Sequence, residues 1–575
     1  MEQKISRLIS MPHRGQVQEN LDRIAVKSAI QFDRSRCDDL FPRLAARVVR
    51  TSVFNLLKGN GFMFRALLRT VQSRACLATV VLTFGSASVQ ADVKLPNVFG
   101  SHMVLQQGQK NKVWGTASAG EAVAVTIDKQ SHKATAGADG KWQVMLEPLT
   151  VGGPHELSVK GKNEIKFDDV LVGEVWICSG QSNMQWSVNS ANDPDLERAA
   201  AKHPKLRMIN FPQVGTQEEI WTHDDRQWQV CSPETVGGFS AVGYFFARQL
   251  HRTLDVPVGM INNAWGGSAC EAWINRDLLT KNAIYQPLME RWILEERAFA
   301  ELSAKTDLNE EQKKQLAGLQ GRMRGNARPS NIYNGVLKSH MGYGIRGAIW
   351  YQGESNADRA YQYRDLFPLM IKSWRDEWGN GDFPFYWVQL ADFTQEKPEP
   401  AESNWAELRE AQTMTMKRLP NTGEAVIIDI GEGKDIHPKN KVDVGRRLAR
   451  WALAETYKVQ GIPCRSPLYK SMEKQDNKIV LTFDNVAPAP NGWRPFDVAE
   501  PRGFAIAGED KKFVWATAKI LPDGRIEVAS DAIKAPVAVR YAWANNPVCN
   551  MFSSAGLPLT PFRTDDWPGV TANAK

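Results

Sequence analysis

A serine follows directly after an apolar run in the stretch GEVWICSGQSNMQW, Gly173–Trp186. The run predicts a buried strand, and Gly180 permits a tight turn that leaves the hydroxyl of Ser182 exposed at the strand end. Such a hydroxyl can attack a carbonyl carbon when a base accepts its proton, and nearby backbone N–H groups can bind the resulting oxyanion. Met184 stands where the nucleophile elbow of common lipases has its second glycine, so the stretch is not that elbow. Taken alone, the serine suits a turn or a helix cap better than catalysis.

Two later stretches place glycine or polar residues at further strand ends. NNAWGGSACEAW follows the strand VPVGMI and contains Gly266 and Gly267, whose bare backbone can approach a ligand closely. GAIWYQGESNA ends another strand with Gln352, Glu354 and Asn356, three polar groups that a buried strand does not need for packing. A structural turn explains the first stretch equally well, and a polar loop explains the second.

The fourth stretch, GKDIHPKNKVDVGRRLA, supplies a candidate base. His437 lies immediately before a predicted helix, and Asp435 precedes it by two residues. An imidazole can take the proton of a serine, and a carboxylate can fix the tautomer of that imidazole. A lone histidine at this place also suits a helix cap or the surface. The four stretches together favour nucleophilic chemistry over these structural explanations.

Such chemistry needs a scaffold that brings strand ends together. From about residue 171 to 456 the chain alternates buried-strand runs, such as VPVGMIN, FPFYWVQLA and EAVIIDI, with helical patterns. This alternation predicts an α/β fold with a parallel sheet covered by helices on both faces. In such sheets, ligands bind at the carboxyl ends of the strands, where all four stretches lie.

The regions around this core have different patterns. Residues 92–170 alternate apolar and polar residues in short runs, which predicts an N-terminal antiparallel β-sandwich. The segment 284–325 is rich in Glu, Gln, Lys, Leu and Ala and predicts a helical insertion in the core domain. Short strands return in 457–575 and predict a C-terminal β-rich region.

Residues 1–91 predict a leader rather than a folded domain. From Met63 onward, three arginines precede the apolar segment ACLATVVLTFG, and Val89–Ala91 forms a small-x-small cleavage site. This order predicts a signal peptide at 63–91, with translation starting at Met63 and a mature chain that is secreted or periplasmic. The apolar segment is shorter than the roughly 20 residues that a bilayer requires, which argues against the alternative of a membrane anchor. We therefore expect no membrane span after cleavage.

The charge of the chain is concentrated in this leader. The formal net charge is +7, but residues 1–91 carry 14 Lys and Arg against 6 Asp and Glu, which leaves 57 against 58 for residues 92–575. A nearly neutral mature chain lacks the lasting basic surface that nucleic acid requires, so we predict no nucleic-acid partner. The chain also has no CxxC or Cys/His cluster, so we predict no metal.

The motifs GQSNM, WGG, WYQGESN and DIHP, in this order, resemble the sialate O-acetylesterase branch of the SGNH hydrolases, which includes bacterial carbohydrate acetylesterases. The resemblance spans Leu171 to about Thr456, and the flanks resemble accessory domains of that family. It implies an SGNH-type three-layer α/β/α parallel sheet flanked by sandwich or jelly-roll-like β-rich regions.

The resemblance also implies roles for individual residues. Ser182 would be the nucleophile and His437 its general base. The oxyanion hole would comprise the Ser182 N–H, a backbone N–H of Gly266 or Gly267, and the side-chain amide of Gln352.

Two positions depart from the family pattern. Lys434 stands where the commoner pattern has an aspartate three residues before the histidine, so the resemblance assigns the third catalytic role to Asp435, with Asp429 and Glu354 as alternatives. Gln352 stands where many relatives have asparagine, which is chemically compatible because both side chains present an amide donor.

The resulting hypothesis is a secreted serine esterase, without a cofactor, that removes acetyl groups from a carbohydrate. The sugar stays open among sialic acid, xylan and xyloglucan, and no oligomeric state is predicted. A glycoside hydrolase with Glu354 and Asp435 as paired carboxylates is the first alternative. A noncatalytic glycan-binding protein built on the two β-rich regions is the second.

Further residues near the motifs are candidates for contact with the substrate. The polar and aromatic candidates for substrate binding are Gln181, Asn183, Trp265, Glu354 and Asn356. Aromatic rings near the motifs can stack on sugar faces or pack in the core, and the core is the better explanation for most of them. These rings belong to Trp186, Trp265, Trp273, Trp350 and Tyr351.

Overall fold

The computed structural model describes residues 92–488 and 491–574. The predicted leader and signal peptide, residues 1–91, lie outside the described residues. None of the helices in the described ranges combines the length and the apolar composition that a bilayer crossing requires.

The chain begins its described part with a β-rich region. Its strands are β1 (Val104–Gln106), β2 (Asn111–Thr116), β3 (Ala122–Ile127), β4 (Gln130–Thr135), β5 (Lys141–Leu146), β6 (Gly152–Lys160) and β7 (Glu164–Gly180). β3 pairs with β4 and β6, β6 pairs with β7, and β2 and β5 form a separate antiparallel pair. Alternate residues of β5 are buried and exposed, the period-two pattern of a strand with one solvated face.

Strand β7 belongs to two parts of the molecule. Its first half pairs antiparallel with β6, and Glu174–Gly180 enters a parallel sheet. The predicted domain boundary between residues 170 and 171 therefore falls inside a continuous strand. A strand of 17 residues is long enough to pair with the β-rich region along one part and with the core along the other.

The central sheet adds six strands to β7. They are β8 (His203–Asn210), β9 (Gln229–Cys231), β10 (Val258–Asn262), β11 (Gly347–Tyr351), β12 (Phe385–Val388) and β13 (Thr422–Ala425). The order across the sheet is β13-β12-β11-β7-β10-β8-β9. All neighbours are parallel except β8 and β9, which makes the sheet mixed and the fold α/β, with β7 at its centre.

Ten α-helices accompany the strands in the described residues. They are α1 (Ser182–Gln185), α2 (Pro194–Ala200), α3 (Ala241–Leu254), α4 (Arg276–Thr280), α5 (Gln286–Ser303), α6 (Glu310–Met323), α7 (Asn331–Gly335), α8 (Ala360–Trp378), α9 (Asn404–Arg418) and α10 (Lys441–Trp451). α5 and α6 occupy the predicted insertion. α8 and α9 bury their apolar residues in one core with Ile177, whereas α3 and α10 share the other core with its neighbour Trp176. Since adjacent strand residues point to opposite faces, helices cover both faces of the sheet.

The C-terminal region contains two antiparallel sheets. Its strands are β14 (Leu468–Gln475), β15 (Lys478–Asp484), β16 (Phe504–Ala507), β17 (Phe513–Trp515), β18 (Thr517–Ile520), β19 (Ile526–Ala529), β20 (Ala538–Tyr541) and β21 (Phe562–Arg563). The sheet orders are β14-β15-β19-β18 and β17-β16-β20-β21. A single apolar core joins the two sheets, and Val426 and Ile428 from the α/β region extend into it.

A buried carboxylate joins separate parts of the chain at the amino-terminal edge of the parallel sheet. Glu174 on β7 is 1% exposed and accepts hydrogen bonds from Gln106 Nε2 at 3.1 Å, Gln107 Nε2 at 2.7 Å and the Tyr457 hydroxyl at 2.9 Å. Arg346, just before β11, forms an ion pair with it at 2.8 Å. The N-terminal region, the central strands and the segment after α10 are thereby held together around one charge.

Candidate active site

The nucleophile candidate lies at the carboxyl end of the central strand. β7 ends at Gly180, and α1 begins at Ser182. Gly180 has φ +129°, and a Cβ atom added there would lie 2.2 Å from the carbonyl oxygen of Tyr351 on β11. Only glycine is compatible with both constraints, so the strand can turn sharply and present the serine above the sheet.

The serine hydroxyl meets the predicted histidine. Ser182 Oγ and His437 Nε2 are 2.8 Å apart, which is hydrogen-bond distance. Asp435 Oδ1 lies 3.3 Å from His437 Nδ1 and accepts the His437 backbone N–H at 2.9 Å. With Nδ1 facing the carboxylate, the proton belongs on Nδ1 and Nε2 is free to accept the hydroxyl hydrogen. The three predicted residues therefore lie together in the order that proton transfer requires.

The two alternatives for the third residue have other partners. Both carboxylate oxygens of Asp429 accept from Arg447 at 2.6 Å. Glu354 Oε1 accepts from Asn183 Nδ2 at 2.7 Å. Among the described residues neither carboxylate contacts the ring of His437, so the geometry favours Asp435 as its partner.

The surroundings set the protonation of this pair. Burial lowers the pKa of His437 below its usual value, and the positive charge of Lys441 lowers it further, while Asp435 raises it. The pKa of Asp435 is also lowered, chiefly by the hydrogen bond from the His437 backbone N–H. His437 is therefore neutral at neutral pH and able to act as a base, beside an ionised carboxylate.

One of the predicted aromatic residues, Trp186, lies against the imidazole ring of His437. The ring of Trp186 stacks on that of His437, with centroids 4.6 Å apart and planes 11° apart. Its Nε1 donates to Ser190 O at 2.7 Å, which fixes the ring. The other aromatic candidates pack elsewhere: Trp273, Trp350 and Tyr351 are fully buried, and Trp265 packs against the same core from a partly buried position.

The glycine loop after β10 lies beside the serine. A Cβ atom on Gly266 would come within 3.3 Å of Ser182 Cβ. The Gly266 N–H donates to Gln185 Oε1 at 2.7 Å, and Gly267 has φ +72°. Ser182 is the first residue of α1, so its own N–H has no intrahelical acceptor. Gln185 was not predicted, although its spacing of three residues places it on the same helix face as the serine.

The predicted oxyanion role of Gln352 does not agree with its contacts. The side chain is fully buried, and its Nε2 donates to Ser268 O at 3.1 Å and to Asn356 Oδ1 at 2.6 Å. Its Oε1 accepts from the Tyr363 hydroxyl at 2.9 Å. Both amide hydrogens are engaged within the protein, so none faces an oxyanion. Gln352 is a structural residue here, because a buried amide must satisfy its hydrogen bonds internally.

The candidates for substrate binding also have internal partners. Gln181 Oε1 accepts from the backbone N–H groups of Gly353 and Ser355, each at 3.3 Å. Asn356 Oδ1 accepts from the Cys270 N–H at 2.9 Å, and its Nδ2 donates to Glu271 at 2.9 Å. Asn183 and Glu354 bond to each other, and Trp265 packs on the core. None of these five candidates is among the residues that line the cleft in the described part of the chain.

The cleft above Ser182 has a volume of about 640 Å³. It is lined by Ser182, Gln185, Trp186, Ser187, Asn210, Phe211, Pro212, Gln213, Arg226, Gly238, Asn262, Ala264 and His437. Arg226 brings a cation, and its Nε has no hydrogen-bond partner among the described residues. Its guanidinium lies 3.3 Å from the carboxylate of Asp225 in an exposed ion pair. Exposed ion pairs are weak, so the guanidinium remains available to bind a ligand. Sequence reasoning missed Asn210, Gln213 and Arg226 because they lie in stretches without a motif.

The fold and the site together have the arrangement of an ester hydrolase built on an α/β sheet. A family model described as carbohydrate esterase, sialic acid-specific acetylesterase, matches residues 172–304 and 323–454. A solved carbohydrate acetylesterase from Xanthomonas citri is 37% identical, with a TM-score of 0.70, over 83% of this chain and 100% of that chain. The chain belongs to this carbohydrate esterase family and is a carbohydrate O-acetylesterase.

Mammalian relatives are more distant but extend over nearly their whole length. The sialate O-acetylesterase of Mus musculus is 26% identical over 84% of this chain and 97% of that protein. The sialate O-acetylesterase of Homo sapiens is 26% identical over 86% of this chain and 98% of that protein. The predicted resemblance to sialate O-acetylesterases is thereby confirmed.

We expect Asp435→Asn to lower kcat by roughly 10²–10⁴-fold, where the upper figure is the loss for a buried triad aspartate. The lower figure allows for the partial exposure of the Asp435 side chain. Because Asp435 raises the pKa of His437, the variant should also move the acid limb of the kcat/KM profile to lower pH. Steady-state kinetics across the acid range measures both effects. Asp429→Asn is the matched control, since its carboxylate pairs with Arg447, and it should keep near-normal kcat. The reverse result would assign the third catalytic role to Asp429.

Proposed function

We propose that the acetylesterase uses Ser182 as nucleophile, His437 as general base and Asp435 as the residue that orients the base. The observation that carries this proposal is the 2.8 Å hydrogen bond from Ser182 Oγ to His437 Nε2 on the wall of the cleft. A hydroxyl bonded to a neutral imidazole is activated at the moment of attack, because its proton has an acceptor already in place.

The proposed reaction has two steps. Ser182 Oγ attacks the acetyl carbonyl while its proton passes to His437 Nε2, and the imidazolium then protonates the sugar oxygen as it leaves. A water molecule, deprotonated by the same nitrogen, releases acetate and restores the serine. Asp435 stabilises the imidazolium in both steps. The donors nearest the developing oxyanion are the backbone N–H groups of Ser182 and Gly267, since the N–H of Gly266 already donates to Gln185 Oε1.

We further infer that the substrate is an acidic sugar, and sialic acid rather than xylan or xyloglucan. Arg226 supports this inference, because a guanidinium on the wall of the cleft can bind a sugar carboxylate with two parallel hydrogen bonds. Asn210 and Gln213 on the same wall offer amide groups to hydroxyls. Xylan and xyloglucan backbones are neutral and would leave that guanidinium with only its exposed ion pair to Asp225.

We also propose that the core has the SGNH-type three-layer arrangement. Helices on both faces of the sheet β13-β12-β11-β7-β10-β8 support it, as does the placement of the nucleophile after the central strand. A nucleophile on the central strand can receive groups from the strand ends on either side, here β10 and β11.

We expect Ser182→Ala to lower acetate release by roughly 10⁴–10⁶-fold, as removal of a catalytic serine does, with unchanged thermal unfolding. Ser187→Ala is the control, because it removes another hydroxyl from the same cleft and should keep most activity. Turnover of acetylated sugars by both variants tests whether Ser182 is the nucleophile. A glycoside hydrolase or a glycan-binding protein would be indifferent to Ser182→Ala, so near-normal function of that variant would overturn the proposal.

We expect Arg226→Gln to lower kcat/KM for an O-acetylated sialic acid by about 10–100-fold, the value of a hydrogen bond to a charged group. Deacetylation of acetylated xylo-oligosaccharides should change little, because those sugars carry no carboxylate. The exposed Arg252→Gln removes one charge away from the cleft and serves as the control. An equal loss on both substrates, or no loss on either, would argue against recognition of a carboxylate by Arg226.

The proposed compartment is the periplasm or the exterior of the cell. The order of arginines, apolar segment and small-x-small site in residues 63–91 supports export. We expect the mature protein to begin near Asp92, which N-terminal sequencing of protein from the native host would reveal. A cytosolic protein that retains Met1 would contradict this proposal.

A further inference from the structure

A lysine is buried directly behind the catalytic pair. Lys441 is the first residue of α10, four residues after His437, and its side chain is 0% exposed. Its Nζ donates to Asn183 Oδ1 at 2.5 Å and lies 5.4 Å from the ring centroid of Tyr351 and 5.9 Å from that of Trp186. No carboxylate of the described residues lies within ion-pair distance of this ammonium.

Such a burial is unfavourable for folding. Removal of an ammonium from water costs several kcal/mol, and only a well-placed counter-ion offsets that cost. One amide oxygen and two aromatic faces compensate less than a carboxylate would. Stability therefore does not account for a lysine at this place, and an apolar residue of similar length would fold more favourably.

The partner of Lys441 connects the parts of the active site. Asn183 follows Ser182 directly, and its Nδ2 donates to Glu354 Oε1 at 2.7 Å and to Ile436 O at 2.9 Å. Both amide hydrogens and the amide oxygen are thus engaged. The amide joins the turn of the nucleophile to the stretch after β11 and to the residue before His437, and the ammonium fixes its orientation.

The charge of Lys441 also reaches the catalytic base. The indole of Trp186 stacks on the ring of His437, and its ring centroid lies 5.9 Å from the ammonium of Lys441. The charged groups that act on Lys441 are Glu354, Glu432 and Asp435, and those that act on His437 are Asp435 and Lys441. The ammonium therefore opposes the effect of the catalytic carboxylate on the imidazole.

We propose that Lys441 is a positioning residue of the esterase: its ammonium holds Asn183 so that the nucleophile and histidine loops keep their hydrogen bond, and its positive charge acts on the neighbouring His437. The proposal rests on the catalytic roles proposed for Ser182 and His437. It adds a function for a buried cation that contacts neither the substrate nor the reacting atoms.

The protonation behaviour of the two groups agrees with this role. Burial lowers the pKa of Lys441 to about 7, and the three nearby carboxylates oppose that effect. In the acid range, where His437 titrates, the ammonium is charged. Removal of this ammonium therefore raises the pKa of His437, because burial alone then opposes the effect of Asp435. A raised pKa of the base means that activity is lost at a higher pH as the solution is acidified.

The test is Lys441→Met in the full-length enzyme, with p-nitrophenyl acetate as the probe. We expect kcat to fall about 10–100-fold with little change in KM, as for a small misplacement of reacting groups. The acid limb of kcat/KM should move to higher pH, because the cation that opposes the effect of Asp435 on His437 has been removed. Thermal unfolding should stay unchanged or move to higher temperature, because an unpaired buried charge has been removed. Lys439→Met removes an exposed charge from the same loop and should resemble the wild type.

A second variant separates the hydrogen bond from the charge. Lys441→Gln keeps a hydrogen-bond donor toward Asn183 but carries no charge. Its kcat should therefore exceed that of Lys441→Met, while the acid limb of its kcat/KM profile should move by the same amount. If Lys441→Met fails to fold, Lys441→Gln takes its place in the test. A lower melting temperature with an unmoved acid limb would make Lys441 purely structural and overturn the proposal, as would wild-type kinetics in both variants. Ser182→Ala is measured alongside, and acetate release by that variant would instead overturn the proposed catalytic serine.

Discussion

The hydrogen bond between Ser182 and His437 joins residues that are 255 positions apart in sequence. The rest of the structure holds these two side chains at hydrogen-bond distance. The two side chains meet because β7 ends at the same edge of the sheet where the loop before α10 lies. β7 is the central strand, with one core against Ile177 and another against Trp176, so the position of its last residue is fixed from both sides. Small displacements of reacting groups cost large factors in rate, which makes a buried central strand a suitable support for a nucleophile.

The polar residues of the motifs mostly hold the loops in place rather than the substrate. Four buried amides, those of Gln181, Asn183, Gln352 and Asn356, bond to groups of neighbouring stretches, and none of them is among the described residues that line the cleft. Buried amides are stabilising only when their donors and acceptors are satisfied, so such a network specifies one arrangement of the loops. The residues proposed to contact the substrate, Arg226 and Gln213, instead line the cleft.

Electrostatics and architecture are coupled at two buried charges. At the amino-terminal edge of the parallel sheet, Glu174 accepts several hydrogen bonds and forms an ion pair with an arginine, so it joins the N-terminal β-rich region to the core. Near the carboxyl ends of the strands, Lys441 has a single amide partner, Asn183, close to the proposed base His437. The first charge is compensated and acts as a structural link. The second lacks a counter-ion, and its environment resembles that of groups whose protonation is adjusted for function.

The sequence by itself determined the α/β alternation, the serine after a strand, the histidine before a helix and the family, since apolar runs, glycines and motif order are local features. It left three carboxylates as candidate partners of His437, and the 3.3 Å contact in the tertiary structure favours Asp435 among them. The tertiary structure decided that Gln352 bonds inward, that β7 crosses the predicted boundary at residue 170, and that Arg226 faces the cleft. These outcomes depend on which distant groups meet each side chain, because a polar residue at a strand end has the same local pattern whether it points toward solvent or toward a buried partner.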